Sequence, residues 1–123
     1  ALVYLDLDDF KAINDRFGHP AGDLALRAVA ERLTSQVGNG DLVARVGGDE
    51  FAAVLIQSSL PVAEGRARSL ARNMEASPIR FGEWSAPLHV SYGVAAITQD
   101  DEPEEILSRA DAAMYARRRE RRT

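Results

Sequence analysis

The chain has 123 residues, of which 46% are hydrophobic and 28% are charged, as expected for one globular domain of ordinary composition. It contains no run of the roughly 18 apolar residues that a membrane-spanning helix needs. Positions 1–116 carry 10 basic and 18 acidic residues, and this acidic body argues against a general nucleic-acid binder. The absence of cysteine excludes disulfides and thiolate metal sites and fits a reducing compartment. We therefore expect a cytoplasmic domain that makes no membrane contact of its own. This expectation also holds if the parent protein is anchored in a membrane.

Strands and helices are predicted to alternate along the chain. In chain order we expect a strand at 2–7, a short helix at 10–17, an amphipathic helix at 22–37, a hairpin of strands at 42–46 and 51–56, a helix from 61, a short strand at 79–84, a strand at 88–96 and a helix from 103. Together these elements predict an α/β domain built on a mixed central sheet, with the central hairpin antiparallel.

The central hairpin has the sequence Arg-Val-Gly-Gly-Asp-Glu-Phe at positions 45–51. The pair Gly47-Gly48 predicts the turn, because glycine reaches positive φ at little cost and leaves room for a ligand near the backbone. Asp49 and Glu50 follow as two adjacent carboxylates that repel each other. A hard cation such as Mg²⁺ or Mn²⁺ would relieve that repulsion. The alternative interpretation is an exposed hairpin tip with solubilising charges.

A second acidic group lies where the first predicted strand ends and a helix begins. Asp6 can add a carboxylate to those of the hairpin if the two segments are neighbours in the sheet. The amides that open the helix, around Asp9 and Phe10, could face an anion, and Lys11 adds positive charge there. Alternatively, Asp8 or Asp9 simply caps the helix.

A third pair of polar residues has the right groups to recognise guanine. Asn14 offers a donor and an acceptor, and Asp23 offers acceptors for the N1–H and N2–H₂ groups of the base. Adenine would not satisfy Asp23. Taken separately, Asn14 is also an ordinary helix-surface residue and Asp23 an ordinary residue near a helix start.

The chain resembles the GGDEF family, the diguanylate cyclase domain of bacterial second-messenger signalling. The resemblance covers nearly the whole chain and is carried by Asp-Leu-Asp-Asp-Phe-Lys-x-Ile-Asn-Asp-x-Phe-Gly-His-x-x-Gly-Asp at 6–23, Arg-Val-Gly-Gly-Asp-Glu-Phe at 45–51, Ser-Tyr-Gly-Val-Ala at 91–95 and the Ala-Asp-x-Ala-Met-Tyr segment from 110. It implies a fold akin to the palm of nucleotidyl cyclases and polymerases, with helices on both faces of the sheet.

The resemblance also implies roles for individual residues. Two Mg²⁺ or Mn²⁺ ions per half-site would be held by Asp6, the Leu7 carbonyl, Asp49 and Glu50, with Asp49 and Glu50 as the catalytic carboxylates. Asn14 and Asp23 would bind the guanine of GTP. The phosphates would lie on the amides of Asp9 and Phe10 and against Lys11.

The reaction implied by the resemblance joins two GTP molecules into cyclic di-GMP with release of pyrophosphate. Because each chain supplies one GTP, activity requires a homodimer. A non-catalytic GTP-binding module that regulates a linked domain is the alternative. A relative that makes a mixed purine dinucleotide is a weaker option, and Asp23 speaks against it.

Three departures from the family pattern stand out. A Lys and an Arg expected to clamp the phosphates are here Arg118 and Arg122, which one helix turn places on the same side. The product-inhibition site needs an Arg three residues before Asp41, but position 38 is Gly, so we expect no feedback binding there. A helical segment expected ahead of the first strand does not appear, so we expect the 123 residues to be part of a larger signalling protein with an upstream sensory domain.

Overall fold

The structure is a computed structural model that describes residues 1–122, apart from the side chains of Phe81, Trp84, Arg121 and Arg122. The phosphate contact expected of Arg122 therefore lies outside the described residues. The elements are, in chain order, β1 (Leu2–Leu7), α1 (Phe10–Phe17), α2 (His19–Gln36), β2 (Leu42–Arg45), β3 (Glu50–Val54), α3 (Leu60–Ala76), β4 (Ile79–Phe81), β5 (Trp84–Ala86), β6 (Val90–Ala95) and α4 (Pro103–Arg122). Within the described part of the chain, no helix is both long enough and apolar enough to cross a membrane.

The main sheet has four strands in the order β2-β3-β1-β6, and every neighbouring pair is antiparallel. The predicted α/β class is confirmed, but the expectation of mixed pairing is wrong. Helical crossovers do connect strands that run in the same direction, β1 to β2 and β3 to β6. In each case a strand of opposite direction lies between the two, so no parallel pair forms. The result is the split β-α-β arrangement of ferredoxin-like folds.

Helices cover both faces of this sheet, as predicted. One face packs against α1, α2 and α3 through the larger core cluster, which includes Leu5, Leu7, Val29, Leu33 and Met74. The other face packs against α4 through a smaller cluster that includes Tyr4, Ala52 and Ala110. Because successive residues of a strand point to opposite faces, β6 is buried along all six of its residues.

Two predicted boundaries differ from the structure by three residues, and the others differ by at most two. Helix α2 begins at His19, three residues before the expected start, because only Gly18 (φ 91°) separates it from α1 and Pro20 is tolerated in a first helical turn. The short strand expected at 79–84 is instead the first part of a separate β4-β5 hairpin, turned at Gly82 with φ 58°. Neither difference affects the main sheet.

Gly93 sets the distance between β6 and α4. A Cβ atom added at Gly93 would collide with the helix backbone at Ala110 and Met114. The helix axis can therefore approach the sheet closely only because this position carries no side chain. This close approach brings the end of α4 to the edge of the sheet where β1 ends.

Candidate active site

The register of the sheet assembles a row of polar residues at one end of its α4 face. Asp6 on β1 lies opposite Glu50 on β3 and opposite Ser91 on β6. Asp49, at the tip of the β2-β3 hairpin, is joined to β1 because its carbonyl accepts a hydrogen bond of 3.0 Å from the Leu7 amide. One carboxylate oxygen from each of Asp6, Asp49 and Glu50 lies within 4.8 Å of the other two. The structure thus brings together the three carboxylates that the sequence placed in two separate segments.

Arg118 offsets the negative charge of this carboxylate cluster only in part. Burial and the neighbouring Asp49 carboxylate raise the pKa of Asp6 to about 6, against the opposing effect of Arg118. The Oδ1 atom of Asp6 is buried and has no hydrogen-bond partner among the described residues. A buried carboxylate oxygen without a partner, beside two further carboxylates, is a donor set that a hard divalent cation fits. Asp6, Asp49 and Glu50 would hold such an ion.

The hairpin turn differs in detail from the expected one. Among the described residues, the glycines with positive φ are Gly18, Gly40 and Gly82, so the turn at Gly47-Gly48 does not depend on that conformation. Gly47 instead leaves room for the Glu50 carboxylate, because a Cβ atom there would lie 2.6 Å from Oε2 of Glu50 and that side chain would have to move. The turn is fastened by Arg45, which donates hydrogen bonds to the Gly47 carbonyl at 3.1 Å and the Gly48 carbonyl at 2.7 Å.

The start of α1 is open toward the same cluster. Asp9 is the N-cap residue in the left-handed conformation (φ 59°), and its side chain makes no capping hydrogen bond. Asp8, the residue before it, accepts hydrogen bonds at Oδ1 from Ser91 and Arg118. The side chain of the N-cap residue therefore leaves the first amides of α1, at Phe10 and Lys11, without a capping bond of its own. Together with the Lys11 side chain they suit an anion.

Arg118 reaches this region from α4. Its Nη2 donates to Oδ2 of Asp6 at 2.9 Å and to Oδ1 of Asp8 at 3.1 Å, and its Nε donates to the Ser91 hydroxyl at 2.9 Å. The guanidinium group therefore lies beside the acidic cluster, and the phosphate contact expected of it stays a prediction. It is engaged there by two carboxylates.

These groups line one open cleft of about 510 Å³. Its walls come from the end of β1, the start of α1, the hairpin tip, β6 and α4. The lining residues are Asp6, Leu7, Asp8, Asp9, Phe10, Lys11, Asp49, Ser91 and Arg118. Acidic groups that suit a cation and basic groups that suit an anion thus share one cavity.

The two residues expected to bind guanine lie outside the lining of this cleft. The Oδ1 atom of Asn14 is buried without a partner among the described residues, and its side chain packs against Gly22. Asp23 follows Gly22 on α2, is exposed, and lines a second cleft of about 500 Å³ together with Arg45 and Phe51. Asn14 therefore contacts the residue that precedes Asp23, and of the two only Asp23 lines this second cleft.

Asp41 is fully engaged in local structure. It accepts hydrogen bonds from the amides of Gly38 at 2.8 Å and Ile56 at 2.9 Å, and it forms an ion pair of 2.7 Å with Arg66. The Arg66 guanidinium and these two amides lower the pKa of Asp41 to about 2. Its side chain is 4% exposed, so it fastens the loop before β2 to α3.

Sequence reasoning missed two contributors to the site, Tyr4 and Ser91. Burial and the neighbouring Glu50 carboxylate raise the pKa of Tyr4 well above its usual value. Ser91 was noted as part of a motif but given no role. The parity of β1 places Tyr4 on the same face as Asp6, which was a usable signal. No sequence pattern predicts the register that sets Ser91 beside Asp6.

Comparison with known proteins agrees with this geometry. The family described as "Diguanylate cyclase, GGDEF domain" matches residues 1–123. The chain belongs to the GGDEF family. The palm-like fold predicted for this GGDEF domain is confirmed by solved structures. The GGDEF domain of DgcB from Caulobacter crescentus, in complex with c-di-GMP, has a TM-score of 0.89 and 29% identity, covering 96% of this chain and 71% of that one.

Curated relatives of this GGDEF domain are named as enzymes. Diguanylate cyclase TpbB of Pseudomonas aeruginosa is 42% identical over 128 residues, covering 99% of this chain and 28% of TpbB. Diguanylate cyclase VdcA of Vibrio cholerae is 37% identical over 118 residues, covering 94% of this chain and 35% of VdcA. The chain therefore spans about a third or less of the length of these two relatives, and the relatives support cyclic di-GMP synthesis as its enzyme class.

Proposed function

We propose that this GGDEF domain is a diguanylate cyclase that condenses two GTP molecules into cyclic di-GMP and pyrophosphate at two facing half-sites of a homodimer. The observation that carries the proposal is the cluster of Asp6, Asp49 and Glu50, whose oxygens lie within 4.8 Å of one another beside the uncapped start of α1. Phosphoryl transfer needs carboxylates that can hold metal ions and, beside them, a site that can bind the phosphates.

In this proposal the residues in and around the cleft have distinct tasks. Asp6, the Leu7 carbonyl, Asp49 and Glu50 hold Mg²⁺ or Mn²⁺, two per half-site. When bound, these ions supply electrostatic stabilisation of the charge that develops on the transferring phosphate. The amides at Asp9 and Phe10 and the side chains of Lys11, Arg118 and Arg122 bind the triphosphate, and Asn14 and Asp23 bind the guanine.

The reaction is an in-line displacement carried out twice. The 3′-hydroxyl oxygen of one GTP forms a bond to the α-phosphorus of the other, and the bond to the leaving pyrophosphate breaks. We assign the hydroxyl proton to a carboxylate of the cleft, Asp49. The protein contributes mainly by positioning the two nucleotides, and each chain supplies one of them.

The test is to incubate the full-length protein that carries this domain with GTP and Mg²⁺ and to measure cyclic di-GMP by chromatography. We expect product from the native protein and from an Asp100→Ala control, which removes an exposed carboxylate outside the cleft. We expect no product from Asp49→Ala. Native protein that binds GTP but forms no product under activating conditions would contradict the cyclase assignment.

One observation favours a second candidate, a GTP-binding regulatory module without catalysis. Arg118 is paired with both Asp6 and Asp8, so a metal ion at Asp6 has to compete with a guanidinium group. GTP binding without turnover, together with a GTP-dependent change in the activity of a linked domain, would support this candidate.

We also propose that product does not inhibit this domain at the position before the hairpin. Gly38 offers no side chain there, and Asp41 is already engaged by Arg66 and two backbone amides. Calorimetry on an Asp49→Ala variant would show no tight binding of cyclic di-GMP. Tight, dimer-dependent binding would contradict the proposal.

A further inference from the structure

Ser91 is a polar residue in the otherwise apolar interior of this domain. Among the described residues, counted by the exposure of the whole residue, it is the one buried residue of the polar and charged types, with 3% of its surface exposed. It lies in the middle layer of the fold, on a strand whose six residues are all buried. A hydroxyl in such a place has to make hydrogen bonds, because its removal from water costs free energy otherwise.

The Ser91 hydroxyl makes two hydrogen bonds, and both partners are charged. It donates to Oδ1 of Asp8 at 2.7 Å and accepts from Nε of Arg118 at 2.9 Å. Hydrogen bonds to charged groups are roughly twice as strong as those between neutral groups. Ser91 therefore binds the two charged side chains to each other and to the sheet.

Rigid backbone supports this contact on both sides. Ser91 lies opposite Asp6 in the β1-β6 ladder, and the Asp8 amide donates a hydrogen bond of 2.8 Å to the His89 carbonyl. Arg118, by contrast, has a long side chain with many rotamers. Two carboxylates attract its guanidinium group but do not fix the orientation of the plane. The hydrogen bond from Nε to the Ser91 hydroxyl adds a further contact, and this contact fixes the orientation of the guanidinium plane.

We propose that Ser91 is a positioning residue for Arg118, holding Nε so that the Nη atoms lie in the cleft where the triphosphate of GTP binds. The inference rests on the proposed function, since it takes the ligand of Arg118 to be a nucleotide phosphate. Ser91 touches neither substrate nor metal in this proposal and acts only through Arg118.

The competing explanation is that Ser91 merely satisfies a buried hydrogen bond and stabilises the fold. A double-mutant cycle separates the two. The probe is GTP with a methylene group between the α- and β-phosphates, in the presence of Mg²⁺, with its dissociation constant measured by calorimetry. The proteins are the native domain, Ser91→Ala, Ser91→Thr, Arg118→Met and the double variant Ser91→Ala/Arg118→Met, with the exposed Ser108→Ala as a matched control.

We expect Ser91→Ala to weaken binding of the analogue about tenfold, which corresponds to the loss of one charge-assisted hydrogen bond. Ser91→Thr keeps the hydroxyl and should stay within about twofold of the native value. In the Arg118→Met background, Ser91→Ala should have no further effect. An equal weakening in both backgrounds, or no weakening at all, would overturn the proposal.

A second measurement does not depend on nucleotide binding. The Nε–H proton of Arg118 should give a separate, slowly exchanging signal in ¹⁵N NMR spectra of the native protein and of Ser91→Thr. The signal should merge with those of exposed arginines in Ser91→Ala. If the native protein binds no nucleotide, the proposed function fails but this signal still decides the role of Ser91. An unchanged Arg118 signal in folded Ser91→Ala would overturn the inference.

Discussion

Single carboxylates in this domain differ in charge state because of their neighbours. Asp6 lies buried beside Asp49, which raises its pKa to about 6, whereas Arg66 and two amides lower the pKa of Asp41 to about 2. Ionised Asp6 therefore opposes folding of the metal-free domain as the pH rises through about 6. Ionised Asp41 favours folding at every pH above its unfolded pKa. Identical side chains thus serve a binding site in one place and a loop anchor in the other.

The Asp41 anchor gives a pH-dependent prediction. Asp41→Asn should lower the free energy of unfolding at pH 7, because Arg66 loses its charged partner. The loss should be constant above the unfolded pKa of 3.8 and should shrink as the pH falls toward the folded pKa of about 2. The loss is measured as the difference in the free energy of unfolding between the native protein and Asp41→Asn, from urea unfolding at pH 7, 5, 4 and 3. An equal loss at pH 3 and pH 7 would contradict the prediction, and Asp100→Asn is the control.

At the residue scale, the sequence predicted the chemical groups of the site better than their partners. Asp6, Asp49, Glu50 and Lys11 were identified because carboxylates and a lysine clustered at a strand end and a turn. The pairing of Arg118 with Asp6 spans 112 residues, and no local pattern reports such a contact. The role of Asp8 was missed for the same reason, since a carboxylate before a helix is most often a cap.

At the scale of elements, α4 determines how far basic groups extend over the acidic end of the sheet. Its packing on Gly93 sets the depth of the helix, and Arg117 fixes its last turns. Arg117 donates to the Tyr92 carbonyl at 3.3 Å, pairs with Glu64 on α3 at 2.9 Å, and lies 4.2 Å from the Tyr92 ring centroid. This side chain crosses the open edge of β6 and so joins the helices of both faces.

The Gly93 contact can be tested directly. Gly93→Ala should lower the free energy of unfolding by about 1–3 kcal/mol, because the added methyl group meets the backbone of α4 rather than a flexible side chain. It should also weaken binding of a GTP analogue by displacing Arg118. Gly65→Ala is the matched control, since a Cβ at Gly65 meets no atom within 4 Å. Chemical denaturation and calorimetry measure both effects.

Gly65→Ala itself should stabilise α3 by up to about 1 kcal/mol, because alanine favours the helix over the unfolded chain. A Gly93→Ala variant as stable as the native domain would show that α4 can shift without cost. The two glycines look alike in the sequence. Only the packing of the helix on β6 distinguishes a required glycine from a replaceable one.

Most elements could be predicted from periodicity, and the sheet topology could not. The strands at 2–7 and 88–96 and the helices from 61 and 103 were predicted because apolar residues repeat at the spacing of each structure. The strand order and the antiparallel pairing depend on how distant segments meet. The alternation of strands and helices fits a parallel sheet equally well, so the expectation of mixed pairing was wrong.

At the scale of the whole molecule, the cleft is one half of the proposed reaction centre. It is open, and in the proposed reaction each chain contributes one nucleotide. The chain also spans 35% of the curated cyclase VdcA and 28% of TpbB. The isolated domain should therefore depend on encounters between two copies, and a parent protein that holds two copies together should be the more active form.

Mixing native and inactive copies tests this dependence. Increasing amounts of Asp49→Ala added to a fixed amount of native protein should lower cyclic di-GMP formation, because mixed dimers contain one defective half-site. The control is an equal amount of a variant that carries Asp100→Ala, which should not inhibit. Formation of cyclic di-GMP that stays constant in a large excess of Asp49→Ala would show that one chain is sufficient.

The two sides of the carboxylate cluster differ in rigidity. β1 is hydrogen-bonded along both edges, so the amide protons around Asp6 should exchange slowly with D₂O. Asp49 lies in the turn at 46–49, where the amides of Val46 and Gly47 donate to the Glu50 carbonyl at 2.9 Å and 3.4 Å. We expect the amides of Gly48 and Asp49 to exchange faster than those of β1. A cation bound by both Asp6 and Asp49 would have to immobilise this part of the turn against the strand, and the lost conformational entropy would oppose binding. Stiffness of the turn, as well as the number of charges, would then set how tightly the proposed site holds a metal ion.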